Sequence, residues 1–142
     1  MSKKNITMKV KIDKGAFMPE RAHSADAGLD IRSPYDAFLT EWDKCTIRTG
    51  VHVELPEGTV GMVKTRSSMN AQGIQCEGVI DEGYTGEIVV ILQNHTNQIR
   101  TIKFGDKIAQ LVILPVIRPE IDLVDELEET ERGDNGFGSS GK

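Results

Sequence analysis

The chain has 142 residues, with 17 Lys and Arg against 22 Asp and Glu, so its formal net charge is −5 and its length predicts one compact domain. This acidic balance argues against a protein that grips the nucleic-acid backbone, which requires a basic surface. No apolar run approaches the ~20 residues that span a bilayer, and residues 1–5 lack the apolar stretch of a signal peptide, so we expect neither nucleic acid nor membrane as a partner. Cys45 and Cys76 have neither metal-ligand nor disulfide spacing, which favours reduced thiols and a cytoplasmic location.

Short alternating stretches separated by turns dominate the chain in sequence order. Strands are predicted at 6–12, 29–31, 46–55, 60–64, 99–102 and 108–117. A turn at 56–58 is predicted to pair strand 46–55 with strand 60–64. A short helix is expected over 67–73, capped by a Ser and ended by Gly73. The acidic segment 119–131 is compatible with an edge strand. Many short strands without a long amphipathic helix predict an all-β sandwich or barrel-like fold.

The last residues differ in composition from the rest. From Arg132 onward the chain is rich in Gly and Ser, and Phe137 is its only large apolar side chain. We expect this tail to be mobile unless a ligand or a neighbouring chain orders it. The sequence therefore predicts a β domain over residues 1–118 and a C-terminal arm and tail over 119–142.

The stretch GVIDEGYTG at 78–86 is the strongest local candidate for a functional site. Val79 and Ile80 favour an extended chain, and the glycines permit tight backbone conformations. This pattern predicts a hairpin that returns through 87–92 and holds Asp81 and Tyr84 on a rigid support, with main-chain groups free for a ligand. The alternative is an ordinary turn with a solvated Asp.

Two further segments could bind anions. Arg66, Ser67 and Ser68 leave a predicted strand at a possible helix start, although an N-cap with a surface Arg would look the same. The tail adds the cation of Arg132, the hydroxyls of Ser139 and Ser140, and exposed N–H groups at its glycines, which are Gly133, Gly136, Gly138 and Gly141. Phe137 either anchors the tail or stacks on a planar ligand.

Carboxylates beside glycine-bearing turns, at Asp30, Asp81 and Asp106, could serve Mg²⁺, or could bond their own backbone. His23, His52 and His95 share no motif, and His52 is interpreted as structural. Together the groups suit a phosphate-rich small molecule with a planar head. A carboxylate on a rigid support could take a proton from water that attacks phosphorus, in chemistry that depends mainly on positioning and charge neutralisation.

Five separated segments, taken in order, resemble the five motifs of the homotrimeric dUTP diphosphatases, or dUTPases. They are AGLDI at 27–31, RSS at 66–68, GVIDEGYTG at 78–86, GDKIAQL at 105–111 and RGDNGFGSSG at 132–141. One such motif would be weak evidence, but five in order over nearly the whole chain form a specific signal. The resemblance implies a distorted jelly roll, or β-clip, that hydrolyses dUTP to dUMP and diphosphate with Mg²⁺, limits uracil in DNA and supplies dUMP for thymidylate synthesis.

The resemblance also implies a role for each matching residue. Asp81 would activate the attacking water, and Tyr84 would lie under the deoxyribose. The backbone of Gly78, Val79 and Ile80 would pair with uracil, and Asp30 would help to place Mg²⁺ through its waters. Phosphates and water would be held by Arg66, Ser67, Ser68 and Gln110, and the nucleotide would be covered by Arg132, Phe137, Gly138, Ser139 and Ser140.

Three positions depart from the family pattern. Thr85 stands where Arg is frequent, Ser140 where Thr is usual, and Gln75 where some members carry a uracil-binding Asn. The segment from Pro119 to Phe137 could extend about 60 Å at ~3.3 Å per residue, which is long enough to reach a neighbouring subunit of a trimer with shared sites.

Two alternatives remain open at this point. A dCTP deaminase, or a bifunctional deaminase–dUTPase, would need an acid/base group near the pyrimidine, for which Glu77 and Glu82 are the candidates. A nucleotide-sensing protein of the same fold would instead contact a regulatory protein partner, as a phage-encoded member could. Release of diphosphate from dUTP distinguishes the enzyme from the sensor.

Overall fold

The computed structural model describes residues 5–138 and 141. Among them it contains eleven strands and one short helix, all within residues 9–115. In chain order they are β1 (Lys9–Ile12), β2 (Gly28–Arg32), β3 (Ala37–Leu39), β4 (Lys44–Arg48), β5 (Val51–Glu54), β6 (Thr59–Lys64), α1 (Ser67–Ala71), β7 (Ile74–Gln75), β8 (Glu77–Ile80), β9 (Val89–Asn94), β10 (Arg100–Ile102) and β11 (Lys107–Pro115). The predicted all-β class with one short helix is confirmed.

The strands form four small antiparallel sheets. Their orders are β1-β5, β3-β10, β2-β11-β6-β8 and β4-β9-β7. β11 is the longest strand, and its Gln110 lies opposite Asp30 on one side and Lys64 on the other. Residues from distant parts of the sequence therefore meet at one end of the four-stranded sheet.

The core follows the two-residue period of the strands. In β9, Val90, Leu92 and Asn94 are buried while Val89 and Ile91 are exposed, because successive side chains point to opposite faces. The remaining buried apolar side chains include those of Ile31, Leu39, Ile47, Val51, Val53, Val63, Ile74, Ile88, Ile108 and Leu111.

The predicted strand 46–55 is wrong as a single element. It is divided into β4 and β5, which belong to different sheets. The break falls at Gly50, whose φ of 70° lies in the left-handed region, and a Cβ there would come within 2.8 Å of Ala16 Cβ. β5 pairs with β1, whereas β6 pairs with β11 and β8, so the turn at 56–58 changes sheets and does not close a hairpin.

The prediction for the helix was partly correct, whereas that for the acidic segment was wrong. Gly73 follows α1 with a φ of 78° and donates its N–H to Asn70 O, as expected for a glycine that ends a helix. The expected Ser cap is wrong, because the N-cap is Arg66 and no side chain bonds the first turn. The described residues 119–131 contain no strand, so the suggested edge strand is wrong as well, and Ile121 and Leu123 are exposed. No described helix is long and apolar enough to cross a membrane.

Candidate active site

The segment that carries Asp81 joins two different sheets. β7 pairs with β9 through Ile74 opposite Asn94 and Gln75 opposite Gln93, but β8 then leaves β9 and pairs with β6. The predicted pairing of a continuous hairpin is therefore wrong, since its two arms are bonded only at the base. β8 is an edge strand, and residues 89–92 of β9 are bonded to β4 alone among the described strands. The splayed arms thus leave main-chain N–H and C=O groups available along two strand edges.

A groove of about 590 Å³ opens where the arms separate. Its lining residues are Lys64, Thr65, Asn70, Gln75, Cys76, Glu77, Ile91 and Gln93. Gln75 donates from Nε2 to Asn70 Oδ1 at 3.2 Å, and Lys64 forms an ion pair with Glu77 at 3.0 Å. Gly78, Val79 and Ile80 complete β8 between this groove and Asp81, with Val79 exposed.

Asp81 lies directly after β8, at the start of a tight turn. Its carbonyl accepts a hydrogen bond from Tyr84 N at 3.0 Å, while no described residue donates a hydrogen bond to its exposed carboxylate. Tyr84 donates from its hydroxyl to Glu87 O at 2.8 Å. A Cβ on Gly86 would lie 2.6 Å from the Tyr84 ring, so glycine is required for the ring to pack there. The turn therefore presents a carboxylate that has no hydrogen-bond partner within residues 5–138, in the same turn as an aromatic ring held in place.

Glu82 anchors the first half of this loop, a role that the sequence analysis did not predict. Its Oε1 accepts hydrogen bonds from Gly58 N at 2.8 Å and from Arg118 Nη2 at 2.5 Å. The Gly58 N–H, followed by the Arg118 guanidinium, holds the pKa of the Glu82 carboxyl below its ordinary value. The only sequence signal for this contact was the acidic residue next to Asp81.

The second half of the loop is bonded to the junction of β4 and β5. Glu87 accepts hydrogen bonds from Arg48 Nε at 2.8 Å and from Gly50 N at 3.0 Å. Between these two anchors, the Thr85 carbonyl lies 2.9 Å from His52 Nδ1. The loop that bears Asp81 is therefore held at three points, through Glu82, Thr85 and Glu87.

A second cluster lies around Asp30. The Asp30 carboxylate, 15% exposed, is 3.3 Å from Arg66 Nε and 3.0 Å from Lys107 Nζ. Arg66 and Lys107 also line a cavity of about 400 Å³ together with Arg32 and Ser68. This cavity is rich in cationic side chains and suits an anion such as a phosphate group.

Gln110 is positioned next to this cluster by an unusually close backbone approach. Its Nε2 donates to Thr65 O at 3.2 Å, one residue before Arg66. A Cβ on Gly28 would lie 2.4 Å from Gln110 Oε1, so a side chain at position 28 would displace the amide. Ser67 and Ser68 are exposed at the start of α1.

The two clusters lie at opposite ends of β6. Ile80 is opposite Gly61, which places Asp81 level with Val60, whereas Arg66 lies six residues further along the chain. At ~3.3 Å per strand residue, this separation is about 20 Å. One chain therefore brings Arg66, Ser68, Gln110 and Asp30 together but keeps them apart from Asp81 and Tyr84. Asp106 lies on the cationic side and lines the same cavity as Arg66, and its carboxylate accepts from Lys103 N at 2.8 Å, as a turn Asp does.

The described part of the tail contacts neither cluster by a hydrogen bond. Arg132 donates from Nε to Asn135 O at 2.8 Å, and Gly138 O accepts from Gly141 N. The Phe137 side chain is fully exposed, with a φ of 45°. Ser139 and Ser140 lie outside the described residues.

The antiparallel sheets define an all-β protein. Its groove of free main-chain groups and its separate cationic cavity suit an anionic small molecule. The family model named dUTPase matches residues 14–141, and the chain belongs to this family. It is 41% identical over 135 residues to the deoxyuridine 5'-triphosphate nucleotidohydrolase of Gloeothece citriformis, covering 92% of this chain and 93% of that protein.

Solved structures of dUTPases have the same fold as this chain. The chain resembles the dUTPase of Staphylococcus bacteriophage 80alpha with dUPNHPP, with a TM-score of 0.91 and 36% identity, over 97% of this chain and all of that one. It also resembles a mutant dUTPase from phage phi11 of S. aureus, described with a structural Mg(II) ion, with a TM-score of 0.80 and 32% identity, over 87% of this chain and all of that one. These likenesses confirm the predicted distorted jelly roll.

Proposed function

We propose that this chain hydrolyses dUTP to dUMP and diphosphate, with Asp81 as the general base. The observation that carries the proposal is the Asp81 carboxylate, to which no described residue donates a hydrogen bond, on a loop that is held at three points and follows the edge strand β8, whose first residue lines the groove. Asp81 takes a proton from water as the water oxygen bonds to the α-phosphorus. The bond from that phosphorus to the bridging oxygen breaks, and diphosphate leaves.

The splayed strands support selection of uracil through the backbone. Fixed N–H and C=O groups along β8 and residues 89–92 pair with one pattern of donors and acceptors, and cytosine presents the opposite pattern. A tight backbone slot also excludes the methyl group of thymine. Tyr84, held against Gly86, lies under the deoxyribose and leaves no room for a 2′-hydroxyl.

The cationic cluster supports binding of the triphosphate. Arg66 and the hydroxyls of Ser67 and Ser68 bind phosphate oxygens, and Gln110 holds a phosphate or the attacking water. From the tail, Phe137 stacks on uracil while Arg132, Gly138, Ser139 and Ser140 close over the outer phosphates.

Mg²⁺ fits this site as an ion carried largely by the nucleotide. The described residues contain no group of three or more His, Cys, Asp or Glu side chains that would hold a metal alone. Asp30 already bonds Arg66 and Lys107, so it suits a role through metal-bound water better than direct ligation. When bound, the ion neutralises charge on the phosphates, and Asp30 keeps Arg66 directed at the same oxygens.

The separation of about 20 Å along β6 supports active sites that are shared between subunits, as in the homotrimer that the sequence resemblance implies. Two groups that act on adjacent phosphates of one nucleotide cannot lie that far apart, so Asp81 must work with Arg66 of another subunit. The arm and tail, 119–142, then reach across from a neighbouring subunit.

Mixing two inactive variants tests the shared site. Trimers re-formed from equal amounts of D81N and R66A should regain about a quarter of the wild-type activity, since that share of sites combines an intact Asp81 with an intact Arg66. Diphosphate release before and after re-assembly measures it. Mixing D81N with D81A is the matched control, because no site can then regain the base. If the mixture of D81N and R66A recovers no more activity than this control, with mixed trimers verified by mass spectrometry, both groups of a site belong to one chain.

A comparison of the common nucleoside triphosphates tests the activity itself. We expect diphosphate release from dUTP, with Mg²⁺, and little from dTTP, dCTP or UTP. Deamination of dCTP would favour the deaminase, and dUTP binding without turnover would favour the sensor.

Glu82 is unsuited to the role of a deaminase acid because its pKa is lowered, and Glu77 is paired with Lys64. Hydrolysis of dUTP limits the incorporation of uracil into DNA and supplies dUMP for thymidylate synthesis. The free thiols of Cys45 and Cys76 support a cytoplasmic location.

A further inference from the structure

His52 connects the Asp81 loop to the body of the domain. It lies on β5, and its side chain is 20% exposed. Its Nδ1 is 2.9 Å from the Thr85 carbonyl, and its Nε2 is 3.1 Å from Asp13 Oδ2. One imidazole therefore bridges the loop that carries Asp81 and Tyr84 to the segment that follows β1.

Both partners of His52 accept hydrogen bonds and neither can donate one. A carbonyl oxygen and a carboxylate are acceptors, while a neutral imidazole has only one N–H. Each neutral tautomer would satisfy one partner and turn a lone pair toward the other. Only the imidazolium donates to both, so the complete bridge requires protonated His52.

Charged groups from several elements surround His52. Lys11 lies opposite His52 on β1 and pairs with Asp13 at 3.9 Å, and along the neighbouring register Lys9 pairs with Glu54 at 3.9 Å. On the loop side, Glu87 is paired with Arg48, and Glu82 with Arg118.

The net effect of the groups around His52 is to raise its pKa. The hydrogen bond to the Thr85 carbonyl, followed by that to Asp13, raises the pKa of His52 above its ordinary value of 6.5, against smaller opposing effects of desolvation and Lys11. Because the folded-state pKa is raised, the stabilisation is complete below the unfolded pKa and is lost as pH rises through the folded one.

We propose that His52 is a positioning residue for the reaction, whose imidazolium holds the Thr85 carbonyl and with it the loop that bears Asp81 and Tyr84. The other two anchors are the carboxylates of Glu82 and Glu87, so His52 supplies the one imidazole among the three anchors, and imidazole is the side chain whose charge changes near neutral pH. When His52 loses its proton, the middle of the loop loosens between two fixed ends. The base and the ring that supports the sugar are then less well placed, and hydrolysis slows.

The kinetic consequence rests on the proposed dUTP hydrolysis. We expect the wild-type kcat/KM to fall on the alkaline side by roughly three- to tenfold with the titration of His52, the loss of one charge-assisted hydrogen bond. H52Q should lack this alkaline limb and remain at the lower level throughout. H95Q is the matched control, because His95 is exposed and forms no hydrogen bond with the loop among the described residues, and it should keep the wild-type profile.

D13N separates positioning from a merely structural role. It keeps the shape of Asp13 but removes the charge that favours the imidazolium, so the alkaline limb should move to lower pH without disappearing. An NMR titration of the His52 ring and the Thr85 carbonyl checks the bridge directly and does not depend on turnover. If Thr85 shifts with the His52 pKa, the bridge stands even for a chain that fails to hydrolyse dUTP. Identical pH profiles for wild type, H52Q and D13N, or a Thr85 signal that ignores His52, would overturn the proposal.

Discussion

Asp81→Asn should lower kcat for dUTP by at least ~10³-fold, which is within the range expected when a general base is removed. The amide has the shape of the carboxylate but cannot take the proton from water. No described residue bonds the Asp81 carboxylate, so the substitution breaks no contact within the chain. KM for dUTP should change little, since Arg66 and the tail still hold the phosphates. Single-turnover release of diphosphate measures the chemical step without interference from product release.

An exposed carboxylate elsewhere provides the control for this experiment. Asp122 lies exposed in the arm, so D122N loses the same charge away from the loop and should keep full activity. Near-normal turnover by D81N would remove Asp81 from the role of base. The thermal unfolding midpoints of both variants should match the wild type.

Removal of residues 132–142 should abolish turnover at ordinary substrate concentrations while leaving the assembly and its thermal stability unchanged. The described tail bonds only to itself and to Thr130, so the β domain loses none of its own hydrogen bonds. In the proposed role of the tail, however, the nucleotide would lose the ring that covers its base and the donors that close over its phosphates. Light scattering after gel filtration, thermal unfolding and the diphosphate assay measure the three effects separately.

Single substitutions show which part of the tail matters. F137A should raise KM and lower kcat, whereas F137W keeps a stacking surface and should retain most of the activity. R132A should weaken binding of the phosphates without affecting the stacking. A truncated chain with full activity would contradict the covering role, because no group of the tail would then be needed.

The predictions from sequence succeeded where the determining interactions are local. Alternation in 6–12 identified β1, and the long apolar run at 108–117 identified β11, since both patterns lie within the strand itself. Gly73 was correctly placed at the end of α1, because a positive φ favours glycine whatever surrounds it. The five motifs identified the family from residue types and order alone.

Strand partners were decided by the tertiary structure. Alternation shows which face of a strand is buried but not which edge it pairs with, so residues 46–55 looked like one strand although β4 and β5 join different sheets. For the same reason the hairpin at 78–92 could not be seen to open after Gln75. That opening creates the groove, which depends on β6 being available to take β8.

The sequence by itself determined the family, the all-β class and the residue types of the site, because these follow from local pattern and motif order. Only the tertiary structure decided that Asp81 and Arg66 lie at opposite ends of β6, and that His52 bridges Asp13 and Thr85. The two contacts of His52 join positions far apart in the chain, since His52 stands 39 residues from Asp13 and 33 from Thr85. No local sequence pattern encodes contacts over such separations, because they form only when the sheets pack and bring separate strand ends together.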